Sequence, residues 1–130
     1  MRWYAALAVS LVTVSATAFD AARWIQVTGG AWEPSPAVLA QLEDVLRPAV
    51  GPAAQNRGRL PPWSEYTFQY QGRATLLGRK YVYVNAFCGH ESRSLDREWI
   101  AVMDGGACYF SAKYDPATKL VYDLLVNGVA

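Results

Sequence analysis

Tyr81-Val82-Tyr83-Val84-Asn85-Ala86-Phe87-Cys88, Trp99-Ile100-Ala101-Val102-Met103, Cys108-Tyr109-Phe110-Ser111-Ala112-Lys113-Tyr114 and Leu120-Val121-Tyr122-Asp123-Leu124-Leu125-Val126 are four runs of β-branched and aromatic residues. Turn-forming residues separate them, which is the pattern of a sheet. Asp104-Gly105-Gly106 predicts a hairpin between the second run and the third. Asp115-Pro116-Ala117-Thr118 predicts another between the third and the fourth, with proline where a type I turn favours it.

Outward from this block, residues 63–71 alternate, with Tyr66, Phe68 and Tyr70 on one side and Thr67 and Gln69 on the other. Gly72 and Gly78 bracket a turn region, with Leu76-Leu77 a candidate extension of the pairing. Ahead of that, Ser35 is a good N-cap and Pro36 a good first helical residue. Val38, Leu39, Leu42, Val45 and Leu46 then fall on one helical face, with Gln41, Glu43, Asp44 and Arg47 opposite. Pro48 and Gly51-Pro52 predict a stop near Arg47. Residues 49–62 read as an exposed loop, and its Arg57 and Arg59 as solvated. A short strand around Ile25 and Val27 ends at Gly29-Gly30. A helix this short is marginal alone in water, so its stripe must pack on the sheet. The expected fold is α+β: one N-terminal amphipathic helix on a four- to five-stranded antiparallel sheet.

Period-2 alternation divides the sheet into faces. Val82, Val84, Ala86, Cys88, Cys108, Phe110, Ala112, Tyr114, Leu120, Tyr122, Leu124 and Val126 are expected toward the helix. Tyr81, Tyr83, Phe87, Tyr109, Ser111, Lys113 and Asp123 are expected on the other side. A solvated face should be polar, and this one is half aromatic. Either it is an interaction surface, with Tyr81, Tyr83, Phe87, Tyr109 and the turn Asp104, Gly105 and Gly106 as its candidate residues, or Trp24, Trp32 or the long loop folds back to cover it.

A chain of 130 residues is one domain. With 18% charged and 52% hydrophobic residues it is packed rather than disordered. Residues 1–18 follow the secretory pattern, with Arg2, an apolar run from Ala5 to Val14, and Ala16-Thr17-Ala18. Ser10, Thr13, Ser15 and Thr17 interrupt that run, which is short for a bilayer core needing about 20 apolar residues. Cleavage after Ala18 leaves a single domain over 19–130, secreted or periplasmic, with 11 basic and 11 acidic residues. No cysteine adjoins the cleavage site, so no lipoprotein anchor is expected. A balanced charge gives no footprint for nucleic acid and, after cleavage, none for a membrane.

Two cysteines in an exported chain predict one disulfide, Cys88–Cys108. Geometry complicates this. In a plain meander the strand at 98–103 separates the cysteine strands by about 9.5 Å, against a Cα limit of roughly 7 Å. Either a bulge lets Cys88 reach past Ala101, or the cysteine strands are neighbours and residues 89–97, reaching about 30 Å extended, cross over. Cys88 and His90, with Cys108 and either Glu91 or Asp104, are conceivable zinc ligands. Cys88 and His90 are also a conceivable nucleophile and base. There is no CxxC, second histidine, nucleotide loop or nucleophile elbow, so no cofactor and no enzymatic activity is expected.

One helix followed by an antiparallel sheet resembles the cystatin-like architecture. Gly29-Gly30 is similar to the glycine ahead of the fold in those protease inhibitors. Gln69-Tyr70-Gln71-Gly72 resembles their Q-x-V-x-G hairpin, one residue short and without the valine. Asp104-Gly105-Gly106 stands where a later Pro-Trp hairpin would be, without the tryptophan. The C-terminal block also resembles small exported bacterial proteins of unassigned function. The resemblance implies a protease inhibitor. The residues themselves lead to a non-enzymatic binding or structural protein whose partner is another protein or a second copy.

Overall fold

Ser35 starts helix α1, Pro36–Ala53, by accepting from the Val38 N–H at 3.2 Å through its Oγ. This computed structural model describes residue 8 and residues 19–129; the leader reading, residue 8 apart, lies outside them. The helix does not stop near Arg47 as expected but runs through Pro48 and Pro52. The prolines lie four residues apart on its exposed side, and the carbonyls left without donors, those of Asp44 and Pro48, belong to exposed residues. An interior proline costs about 3 kcal/mol through its lost bond and ring clash. The longer helix offsets part of this by burying Val50 and, at its C-cap, Ala54. Leu39, Leu42, Leu46 and Val50 are its buried stripe.

The sheet has five strands in the order β1 (Trp24–Gln26), β2 (Tyr66–Ala74), β3 (Lys80–Cys88), β4 (Tyr109–Asp115), β5 (Leu120–Val126). All neighbours are antiparallel except β1, which runs parallel to β2. The exception follows from α1, which carries the chain back between the two strands, as a parallel crossover requires. The protein is therefore α+β, one helix on a mostly antiparallel sheet.

One face of the sheet meets α1. Tyr66, Phe68, Tyr70, Val82, Val84, Ala86, Phe110, Ala112 and Tyr114 form the core with the helical leucines. Trp24 stacks on Phe68 at 4.4 Å between ring centroids. Much of the aromatic content thus serves the core. Arg23 fastens helix to sheet: its guanidinium pairs with Glu43 at 3.2 Å and donates to the Trp63 carbonyl at 2.6 Å. The Trp63 indole donates to the same carboxylate at 2.8 Å.

Residues 99–103 are not a strand, and Asp104-Gly105-Gly106 is not a hairpin turn. β3 pairs directly with β4, Phe87 opposite Tyr109, so the cysteine strands are neighbours. Cys88 and Cys108 form the disulfide with Cα atoms 5.2 Å apart. The apolar run 99–103 misleads because only Ile100 is buried; Met103 is 99% exposed. Such a run cannot fill the middle of a sheet.

β5 departs from simple alternation as well. Its pairing with β4 shifts register between Ser111 and Lys113, and Asp123 stands at φ +49° in the resulting bulge. The extra residue changes the phase of the strand. Val121, Leu124 and Val126 pack toward the core. Tyr122, opposite Lys113, and Leu120, opposite Asp115, turn outward, the reverse of expectation.

The buried hydroxyl of Tyr66 donates to the Ala107 carbonyl. Burial, and then the Glu65 carboxylate, push its pKa from 10.0 up to about 12. Burial likewise raises Tyr70 and Tyr114, assisted by Glu33 and Asp115. A phenol raised in the fold contributes stability that is intact below its unfolded pKa near 10 and lost as pH rises through its folded value. The urea midpoint is expected to fall between about pH 10 and 12, and to fall less in Tyr66→Phe. Equal slopes for the two proteins would contradict this.

Candidate functional site

The face of the sheet away from α1 carries Thr67, Gln69, Gln71 and Arg73 from β2, Tyr81, Tyr83, Asn85 and Phe87 from β3, Tyr109, Ser111 and Lys113 from β4, and Tyr122 and Leu125 from β5. The segment between β3 and β4 lies across part of it as a strap. Gln69, fully buried, anchors that strap. Its Nε2 donates to the Leu95 and Glu98 carbonyls at 2.9 and 2.6 Å. Its Oε1 accepts from the Ile100 N–H at 2.9 Å and from Asn85 Nδ2 at 3.1 Å. Asn85 also donates to the Ile100 carbonyl at 2.7 Å. A glutamine has two donors and two acceptor lone pairs, and here all are used.

The strap decides what becomes of the candidate residues. Phe87 is buried beneath it. Tyr83 meets the Trp99 ring edge-on at 5.2 Å, and the Arg73 guanidinium lies 4.2 Å from the Tyr83 centroid and 5.3 Å from that of Trp99. Tyr109 lies against Gly105, where an added Cβ would stand 2.5 Å from the ring. Asp104, Gly105 and Gly106 tie down the C-terminal segment instead of projecting. Asn127 Nδ2 donates to the Asp104 carbonyl at 3.0 Å, and the Gly106 N–H donates to the Gly128 carbonyl at 3.0 Å. The covering element is thus the β3–β4 segment, not the loop at 49–62 or the two tryptophans: Trp24 lies in the helix-side core and Trp32 packs against it.

The open half is built around Lys113. Its ammonium lies 5.8 Å from the Tyr81 centroid and 6.0 Å from that of Tyr122, and pairs with Asp123 at 3.1 Å. The hydrogen bond to Asp123 holds the Lys113 pKa above its ordinary value. Beside this cluster Arg79 donates to Asp115 at 2.6 Å. Burial pushes the Asp115 carboxyl up, but the Ala117 N–H, Arg79 and the Thr118 N–H together hold it below the usual range. Of the seven candidate residues the structure leaves Tyr81 in this open half, and it adds Tyr122, Leu120 and Leu125. Alternation missed Leu120 and Tyr122 because the bulge reverses them, while Leu125, beyond the bulge, keeps the outward side that alternation gives it. An aspartate in the middle of an apolar strand was the available signal, since Asp tolerates φ > 0.

Cys88 and Cys108 are both engaged in the disulfide, so neither sulfur acts as a zinc ligand or nucleophile in this state. His90 is exposed, and Glu91 pairs with Arg93 at 3.0 Å. Among the described residues no three His, Cys, Asp or Glu side chains cluster as a metal site, and no helix is long and apolar enough to cross a membrane. The disulfide points to an oxidising compartment.

Comparison of the chain with known protein families, curated proteins and solved structures finds no match. What the cystatin resemblance carries is thus the positions of its segments. Gly29-Gly30 lies beside β2: Gln71 Nε2 donates to the Thr28 carbonyl at 2.8 Å, and the Ala31 N–H to the Gly72 carbonyl at 2.8 Å. Gly72 is required by this approach, because a Cβ there would stand 2.1 Å from the Trp32 carbonyl oxygen. Gln69–Gly72 is interior to β2, and the hairpin turn comes later, at Thr75–Gly78. Asp104-Gly105-Gly106 sits at the opposite, disulfide end of the sheet. The later hairpin is the one that joins β4 to β5.

Proposed function

We propose that this is an exported, non-enzymatic binding protein that meets another protein, or a second copy of itself, through the open half of its outer sheet face. The observation that carries this reading is the exposure of Leu120, Tyr122 and Leu125, at 62%, 39% and 67%, on an edge strand whose other side is unpaired. Tyr81 and Lys113 continue that patch inward. Rigid aromatic rings beside a cation are effective contact groups, because they bring area with little rotamer entropy to lose. The disulfide supports export. The double substitution Tyr122→Ala/Leu125→Ala is expected to abolish self-association in sedimentation equilibrium, or capture of a crosslinked partner, by at least about tenfold. If both measurements match wild type, the reading fails.

A cystatin-like protease inhibitor is the second reading. It is favoured by one helix on a five-stranded sheet and by Gly29-Gly30 lying beside the arm of the β2–β3 hairpin. Inhibition of some member of a cysteine-protease panel is its requirement.

A further inference from the structure

The β2–β3 hairpin ends in two residues that the fold does not use. The Thr75 carbonyl accepts from the Gly78 N–H at 2.9 Å, making Leu76 and Leu77 the central residues of a β-turn. Gly78 follows at φ +81°, and the Thr75 Oγ1 accepts from the Arg79 N–H at 3.1 Å. The turn is therefore held by its own hydrogen bonds, while Leu76 and Leu77 are 107% and 98% exposed. Turn centres favour Asn, Asp, Pro and Gly for physical reasons, and leucine offers none of them. Two leucines displayed in this way need a reason outside the fold.

The charge around them supplies one. No acidic residue occurs between Glu65 and Glu91, whereas Arg73, Arg79 and Lys80 flank the tip. Lys119 adds a cation from the β4–β5 turn at the same end, where Arg79 reaches Asp115. Among the described residues Arg73, Lys80 and Lys119 pair with no carboxylate. Lys80 also lies 5.4 Å from the Trp32 ring centroid. The near-neutral total hides this segregation.

We infer that the β2–β3 hairpin docks on a bilayer carrying anionic headgroups, Leu76 and Leu77 entering the acyl boundary and the cations meeting the headgroups. Arg79 stands directly behind the turn, its carbonyl accepting from the Thr75 N–H at 2.9 Å, and Lys80 follows opposite Ala74. Interfacial segments bury their apolar residues in the acyl boundary and keep their cations at the headgroups, which is the order of leucines and cations here. A protein groove would need hydrogen-bonding or shape partners at the tip, and two bare aliphatic side chains supply only apolar area. This surface is separate from the outer sheet face and does not depend on the reading given for it.

The test is co-sedimentation with phosphatidylglycerol-containing and pure phosphatidylcholine vesicles, using the chain as recovered from expressing cells. Binding is expected only to the anionic vesicles, and to weaken as salt rises from about 0.05 to 0.5 M. Leu76→Asn/Leu77→Asn, which should leave the turn intact, is expected to lower partitioning on the order of 30-fold. Lys80→Glu/Lys119→Glu should lower it by a similar factor. A Leu77→Trp reporter, compared with wild type, should be quenched by brominated lipid, a readout local to the tip whatever the N-terminus does. Equal binding to neutral vesicles, no effect of the leucine pair, or no quenching overturns the inference. So does loss, in the leucine variant, of self-association or protease inhibition without any lipid binding, since the tip would then be a protein contact.

Discussion

Gln69→Leu is expected to cost about 3–4 kcal/mol, more than most single substitutions in a chain of this size. Leucine is close in volume, so little of the loss is packing. What disappears is a set of four hydrogen bonds, three through which β2 holds the strap and one from Asn85 of β3. The Ile100 N–H and the Leu95 and Glu98 carbonyls are left facing an apolar side chain, and a buried polar group without a partner costs about 1–3 kcal/mol. Partial opening of the strap to water recovers some of this, which keeps the sum below three full penalties. Urea unfolding should show the shift in midpoint, and amide exchange at residues 95–100 should quicken more than in β3 or β4. A loss under about 1 kcal/mol, or exchange that rises evenly across the sheet, would mean that the strap is held by something else.

Removing the disulfide should be nearly as costly. Cys88→Ala/Cys108→Ala opens a loop of sequence separation 20, and the chain-entropy model assigns such a closure about 3 kcal/mol. Reduction of the wild type should reproduce the effect in denaturant titrations with and without dithiothreitol. The two variants share the strap, since the disulfide closes its ends and Gln69 grips its middle. Their combination should therefore depart from additivity. Should the reduced protein unfold within about 0.5 kcal/mol of the oxidised one, the bond would not be stabilising the fold in the way described.

The helix was readable from Ser35, Pro36 and the 3.6-residue stripe because those signals are local. Its last two turns were not, since whether Pro48 ends a helix depends on whether Val50 finds a place in the core. The alternation of β2, β3 and β4 was legible, as was the cysteine pair. Strand order was left between two arrangements because the deciding contacts join residues far apart in sequence. Gln69 gave no sign of its role, for a polar residue on an outward face looks the same whether solvated or covered. Phe87 and Tyr109 were picked as surface for the same reason. The phase of β5 failed at one residue, Asp123, because a bulge adds a residue without changing the composition of a strand.

That bulge has a consequence for growth of the sheet. β5 is an apolar edge, and a straight edge of this kind is a template on which further chains can add without limit. At Asp123 the backbone turns to φ +49° and places a charge in mid-strand, so an incoming strand loses register after a few residues. At the other edge β1 offers only three residues. Both edges of the sheet are thereby poor templates for strand-by-strand polymerisation, and the bulge that turns Tyr122 outward is also what interrupts the longer edge.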